Sequence, residues 1–262
     1  MSEPRDSEAS AAPYFRWAIT PTYLAHLFKA TLKQHHRSWG AAAARMIPAD
    51  GVVFDVGAHA GQYAKIFARL TPRGQVFAFE PGAYARSILR VALYINRCRN
   101  VAIVPLALGE REGTAMLTLP VKRRGAYGFG LAHLGGDTRW REVRREVVAL
   151  TTIDRFVEMM DLHRLDFIKA DIEGWEMHAL RGGRDTIRRF RPVIMLEMTE
   201  GALARAGDDL AAAFRTLDAL DYRPAVLDAA GNFHAVERPI EGDIWWLPKE
   251  REIPLSAPRG AG

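Results

Sequence analysis

The sequence predicts an α/β fold: a seven-stranded, mostly parallel sheet with helices on both faces and a helical extension at the N-terminus. Short apolar runs alternate with longer segments of helical periodicity from residue 52 onward, the pattern of strands joined by crossover helices. Four of these runs lead into a carboxylate, at Asp55, Glu80, Asp171 and Glu197. In an open parallel sheet, ligands sit beyond the carboxyl ends of the strands. Between the first run and its helix lies Gly57-Ala-His-Ala-Gly61. Its glycines let backbone approach a ligand closely, and the helix start offers N–H groups to polar or anionic atoms.

Residues 1–13 are rich in Ser, Glu, Ala and Pro and read as a disordered tail. Residues 14–48 form the helical extension, broken near Thr20-Pro21. Within it Leu24, Leu27, Phe28, Thr31 and Leu32 recur at helical spacing among Lys29, Lys33, His35, His36 and Arg37. This segment has three readings: a lid or dimer arm packed on the core, a helix lying on a membrane surface through Trp17, Phe28 and Trp39, or an added helix. Residues 49–248 form the main domain, and 249–262 read as a loose C-terminal tail.

In the main domain, strand 52–56 precedes helix 61–70, strand 75–79 precedes helix 83–96, and strand 101–104 exits through Pro105-Leu-Ala-Leu-Gly109. Strand 114–119 and strand 145–150 flank an irregular segment, 120–142, with five glycines in its 125–136 stretch. Thr152 caps helix 153–161. Strand 166–170, helix 173–189, strand 192–196, helix 207–220, strand 223–227 and strand 243–247 complete the domain.

The glycine turn reads G-x-x-x-G, without the third glycine of a dinucleotide fingerprint and without the Gly-Lys-Ser/Thr of a Walker loop. Glu80 follows Asp55 by 25 residues, and a carboxylate at the tip of the second strand can accept hydrogen bonds from both hydroxyls of an adenosine ribose. Nothing nearby neutralises a pyrophosphate, so S-adenosylmethionine (SAM) fits better than NAD. The ordered set Asp55-Val-Gly-Ala-His-Ala-Gly-Gln-Tyr63, Phe79-Glu-Pro81, Ala107-Leu-Gly-Glu-Arg-Glu-Gly113, Thr152-Ile-Asp154 and Lys169-Ala-Asp-Ile-Glu-Gly-Trp-Glu176 resembles the FkbM family of SAM-dependent methyltransferases over about residues 50–200. The resemblance implies the class I methyltransferase (Rossmann-like) fold and an acceptor hydroxyl on a sugar, glycolipid, polysaccharide or polyketide-like product. The family usually has Asn where this chain has His59, whose charge would vary near neutral pH.

The cofactor-binding residues expected are Asp55, Gly57, His59, Gly61, Tyr63, Glu80, Pro81, Ala107 and Asp171. Pro105-Leu-Ala-Leu-Gly109 would pass beside the adenine. A hydroxyl is a poor nucleophile at neutral pH, so a base or a metal is required. Asp171, Glu173 and Glu176 are the base candidates, the last two sharing a helix face at its N-terminus. Alternatively Asp171 and Glu197, ending adjacent strands, hold Mg²⁺. His178 and His133 are further base candidates, each more often structural. Tyr127, Phe129 and His133 in the glycine-rich segment are expected to contact substrate.

Hydrophobic content of 48% and charged content of 26% are ordinary for a soluble enzyme. The single Cys98 excludes an intramolecular disulfide framework and suits the cytoplasm. No apolar run is long enough for a membrane span. The formal charge of +5 admits nucleic-acid methylation as an alternative, but no base pocket or RNA-binding motif accompanies it. The other alternative is a non-catalytic SAM-binding or membrane-surface protein, and a homodimer through the N-terminal helix is a further possibility.

Overall fold

The structure is a computed structural model that describes residues 20–32, 37–122, 126–127, 133–134 and 143–253. In chain order the elements are α1 (Pro21–Leu32), α2 (Arg37–Ala44), β1 (Val52–Val56), α3 (Gln62–Leu70), β2 (Gln75–Phe79), α4 (Ala83–Ile95), β3 (Val101–Val104), β4 (Ala107–Leu108), β5 (Gly113–Lys122), β6 (Ala126–Tyr127), β7 (His133–Leu134) and β8 (Val143–Thr151). Then follow α5 (Ile153–Met159), β9 (Phe167–Ala170), α6 (Glu176–Arg181), α7 (Arg184–Phe190), β10 (Val193–Met198), α8 (Glu200–Arg205), α9 (Leu210–Asp218), β11 (Tyr222–Leu227), β12 (Phe233–Ala235) and β13 (Gly242–Pro248).

The main sheet has the order β12-β11-β13-β10-β9-β1-β2-β3. Strands β10, β9, β1, β2 and β3 pair in parallel, and β13 runs antiparallel between β10 and β11. This is the class I methyltransferase architecture, with eight strands instead of seven. The extra strand, β12, is a three-residue return that pairs with β11, too short to leave a periodic signal.

Both faces of the sheet are buried, as parallel sheets require, and alternate residues serve opposite faces. Phe54, Val56, Ile168, Ile194 and Trp246 join Phe156, Ile187 and Leu217 from α5, α7 and α9. Val53, Phe167, Met195 and Trp245 meet Phe67 of α3 and Trp39 of α2 on the other face. The Trp39 and Trp245 rings lie 5.0 Å apart. Asp55, Lys169, Glu197 and Asp243 share the strand parity of this second face, so the α3 side of the sheet carries its charges at the carboxyl end.

The N-terminal extension packs as two helices. α1 lies on α4, with His26 Nδ1 2.9 Å from the Tyr84 hydroxyl and Tyr23 near Ser87. The buried Lys65 of α3 donates to the Ala30 carbonyl at 2.6 Å, and Ala60 of the glycine loop packs in the same cluster as Tyr23 and Tyr84. α1 therefore backs the glycine loop. Its outer stripe, Leu24, Phe28 and Leu32, is exposed. No helix among the described residues is long and apolar enough to cross a membrane.

Two sequence expectations are corrected here. The helix expected over 173–189 is two helices, α6 and α7, broken at Gly182-Gly183. A Cβ on Gly182 would lie 2.0 Å from the Gly109 carbonyl oxygen, and one on Gly183 would lie 2.8 Å from Ile153. The close approach, not helix propensity, dictates those residues. Glu173 lies outside α6 in a left-handed conformation, φ 58°, so it does not share a helix face with Glu176.

The described residues of the irregular segment belong to a second sheet, β4-β8-β5-β6, with β7 paired to β5. β5 and β8 form a long antiparallel pair. Glu146 of β8 accepts the Ala83 N–H at 3.2 Å, which fixes this sheet over the tip of β2. Thr152 caps α5 as expected, its hydroxyl accepting the Arg155 N–H at 3.0 Å.

Candidate functional site

A cavity of about 260 Å³ opens beyond the carboxyl ends of β1, β2 and β9. It is lined by Gly57, Ala58, His59, Gln62, Tyr63, Glu80, Pro81, Leu106, Ala107, Leu108, Lys169, Asp171, Ile172 and Glu173, with Leu117 and Leu134 reaching in from the second sheet. Seven of the nine expected cofactor residues, all but Asp55 and Gly61, are on this wall. Asp55 lies beneath it, fully buried. Gly61, at φ 83°, is the N-cap of α3, where a Cβ would sit 2.7 Å from Leu89.

The glycine loop is locked to the tip of β2. The Gly57 and Ala58 N–H groups both donate to the Phe79 carbonyl at 3.0 Å, and the Gly61 N–H donates to Ala58 at 2.8 Å. The His59 N–H donates to Glu80 Oε2 at 2.9 Å, and the Gly82 N–H to Oε1 at 2.8 Å. These loop amides are thus engaged within the protein, not left free as the sequence suggests. Glu80 keeps further lone pairs for a ligand. Burial pushes its carboxyl up to about 7, against the two amide bonds that favour the charged form.

His59 does not titrate near neutrality. Burial first, and the Lys169 cation second, lower it to about 4, so the imidazole is neutral at pH 7. Its left-handed backbone, φ 52°, is one that Asn, the residue usual in the family, also tolerates.

The charged residues meet at the other end of the cavity. Lys169 Nζ lies 3.4 Å from Asp171 Oδ2 and 3.8 Å from Asp55 Oδ1. Burial disfavours its charge, but Asp171 and Asp55 outweigh that and hold the ammonium above its ordinary value. Burial would raise Asp171, yet Lys169 and a hydrogen bond with Glu197 keep it below the usual carboxylate range. That hydrogen bond, with burial, pushes Glu197 up to about 8. Burial raises Asp55 to about 6, opposed by Lys169.

The donor set does not fit a divalent cation. Among the described residues no three His, Cys, Asp or Glu side chains converge on one point. Asp171 and Glu197 hydrogen-bond to each other, and the Lys169 ammonium already occupies the Asp171 side. The Mg²⁺ site expected from Asp171 and Glu197 is therefore not supported, and no step is routed through a metal.

Glu176 is placed away from the cavity wall. It is 1% exposed, and its Oε1 accepts the Ile172 and Gly174 N–H groups at 2.8 and 3.3 Å. It braces the turn that presents Asp171 and Glu173. His178 also lies off the cavity, stacked on Trp175 at 4.1 Å and bonded to the Ala206 carbonyl at 3.0 Å. Tyr127 and His133 fall on β6 and β7, next to cavity-lining Leu134 in the second case, but their side chains, and Phe129 entirely, lie outside the described residues. Sequence reasoning missed Lys169, Gln62, Leu117 and Ile172. Lys169 stands within the quoted 169–176 motif, and its meaning depends on the cross-strand register Asp55↔Lys169.

These buried acids make the unliganded protein pH-sensitive. Asp55, Glu80 and Glu176 have folded values of about 6, 7 and 7, all raised by burial. Their favourable contribution is complete below the unfolded carboxyl value of about 4 and is lost as pH rises through 6 to 7. Thermal unfolding should therefore show a lower Tm at pH 8 than at pH 5. A Tm that rises across this interval would refute the assignment.

Similarity to known proteins gives the family. The Methyltransferase FkbM domain model matches residues 55–224. Methyltransferase 1 of Beauveria bassiana is 25% identical over 222 residues, 79% of this chain and 80% of that protein. The 2-O-methyltransferase NoeI of Sinorhizobium fredii is 25% identical over 207 residues, 74% of this chain and 78% of that protein. A solved FkbM methyltransferase from Methylobacillus flagellatus aligns at 14% identity with a TM-score of 0.47, over 86% of this chain and 58% of that one. The family match spans more than half of the sequence: the chain belongs to the FkbM family of methyltransferases.

Proposed function

We propose that this protein is a SAM-dependent O-methyltransferase acting on a hydroxyl of a sugar, glycolipid, polysaccharide or polyketide-like acceptor. One observation carries the reading: a single cavity places the Glu80 carboxylate and the Lys169–Asp171 pair on the same wall, with the apolar Leu106–Leu108 stretch and Pro81 among its lining. SAM, when bound, supplies a methyl group on a sulfonium. Glu80 is suited to accept the ribose hydroxyls, and Leu106, Ala107 and Leu108 to cover a flat apolar base. Asp171 is the base for the acceptor hydroxyl. Its depressed pKa is no obstacle, because an alcohol oxygen that has gained a methyl group is a far stronger acid than any carboxyl group. Glu173, which also lines the cavity, is the second base candidate.

Glu173 lines the cavity beside Asp171, and an acidic wall disfavours a phosphate backbone, which argues against nucleic acid. The relative NoeI, a 2-O-methyltransferase, supports an oxygen acceptor. The exposed stripe of α1 leaves peripheral membrane contact and dimerisation as proposals for that face, separable by liposome flotation and gel filtration.

The test is methyl transfer from tritiated SAM to a panel of saccharides and polyketide-like alcohols. Label should enter an alkali-stable ether. Label in RNA or DNA, or in no acceptor at all, would overturn the reading.

A further inference from the structure

Lys169 has no role in the acid–base chemistry above, yet the site's charges converge on it. Its side chain leaves β9 on the α3 side of the sheet and is 2% exposed. Nζ lies 3.4 Å from Asp171 Oδ2, 3.8 Å from Asp55 Oδ1 and 3.4 Å from the Gly57 carbonyl oxygen, to which it donates. The Tyr63 ring covers it at 4.8 Å. The groups that face it are Asp55 from β1, Asp171 from the end of β9, Glu197 from β10, His59 from the glycine loop and Tyr63 from α3. Asp243 of β13 completes the ring of charge around Tyr63.

An ammonium has three N–H donors and no acceptor, and three oxygens surround this one. The contacts are long for hydrogen bonds, so attraction between full charges in a dry setting dominates. Without that cation, the buried Asp55 and the partly exposed Asp171 on adjoining strands would repel, and one would take up a proton. A divalent ion bridging the tips of β1 and β9 would need the same position.

We propose that the Lys169 ammonium does here what a divalent cation would otherwise do: it bridges Asp55, Asp171 and the Gly57 carbonyl, fixing Asp171 against the glycine loop, so that the protein works without metal. Lys169 is thus a positioning residue, acting through Asp171 and Gly57. The inference rests on the SAM-dependent reading and adds to it the source of the site's positive charge.

The experiment uses the full chain and SAM itself as the probe. Calorimetric titrations are run between about pH 6 and pH 9, with EDTA or with Mg²⁺, on wild type, K169M and K169R. Wild type should bind SAM equally under both metal conditions. K169M should bind about tenfold or more weakly at pH 7, and its affinity should recover at higher pH as Asp55 ionises. The midpoint of that recovery should lie about one pH unit or more above that of wild type. K169R restores the charge and should restore the wild-type pH profile. Folded K169M with the affinity and pH profile of wild type would overturn the inference, as would wild-type binding that EDTA abolishes and Mg²⁺ restores. If K169M does not fold, the chelator arm and the K169R profile still decide. Wild type that ignores SAM under every condition refutes the SAM reading itself, whereas wild-type binding with an unaltered K169M refutes this inference alone.

Discussion

Replacing Asp171 by Asn should lower methyl transfer by about 10²- to 10⁴-fold, the usual worth of a positioned base, while SAM affinity changes by less than about tenfold. Asn has the same shape and can still hydrogen-bond to Glu197, but it cannot take the acceptor proton. The comparison needs kcat and KM from the tritium assay alongside calorimetric SAM binding. A fall confined to kcat identifies a group that acts in the transition state. Normal turnover by the Asn variant would remove Asp171 from the mechanism and pass the role to Glu173, the other carboxylate on the cavity wall. Glu173→Gln is the paired control. If Asp171 is the base, this variant should retain most of its kcat.

Gly57→Ala should have the second large effect, and it acts on fold and site together. Gly57 has φ 75°, a conformation that costs an L-residue about 1–2 kcal/mol. The clash is worse: a Cβ there would lie 2.1 Å from the Asp171 carbonyl oxygen and 2.9 Å from the Ile172 side chain. Backbone on both sides must shift, so the total cost should reach about 4 kcal/mol or more. For a chain of this size that lowers Tm by roughly 10 °C. The same displacement moves Asp171 away from the glycine loop, so SAM affinity should fall about 100-fold. A variant with unchanged Tm and affinity would mean that the loop and the β9 tip do not meet as described. Gly174→Ala separates the two effects. Its Cβ would strike the Ala202 carbonyl oxygen at 2.1 Å, on the far side of the 172–174 turn, so stability should drop with a smaller loss of affinity.

Much of the site was legible because it is local. Apolar runs with acidic ends, a glycine pair and a helix start lie within 20 residues of one another around β1, and the same signals recur at β2 and β9. Leu106 to Leu108 could be assigned to a cavity wall because the chain leaves β3 just before them. The rest depends on pairing across strands. Lys169 in isolation is a charged residue in an apolar run. Its function comes from Asp55 standing beside it in register, which no local pattern encodes. Glu176, expected among the base candidates, lies off the cavity wall: the chain turns left-handed at Glu173 and Gly174, and Glu176 bonds that turn. The His59 expectation failed on burial, a property of α1 and the loop packed together. The Gly182-Gly183 pair is a breaker signal inside the expected helix 173–189.

Calorimetric titration of the purified chain with S-adenosylhomocysteine, the demethylated product of SAM, compared with the Glu80→Ala variant, bears most directly on the claim that the acidic strand tips form one adenosyl-binding cavity. Wild type should bind one equivalent, and the variant, which loses the ribose acceptor and the Glu80 bonds to His59 and Gly82, should bind at least about 100-fold more weakly. Absence of binding heat from wild type, or equal affinity in the variant, would contradict it.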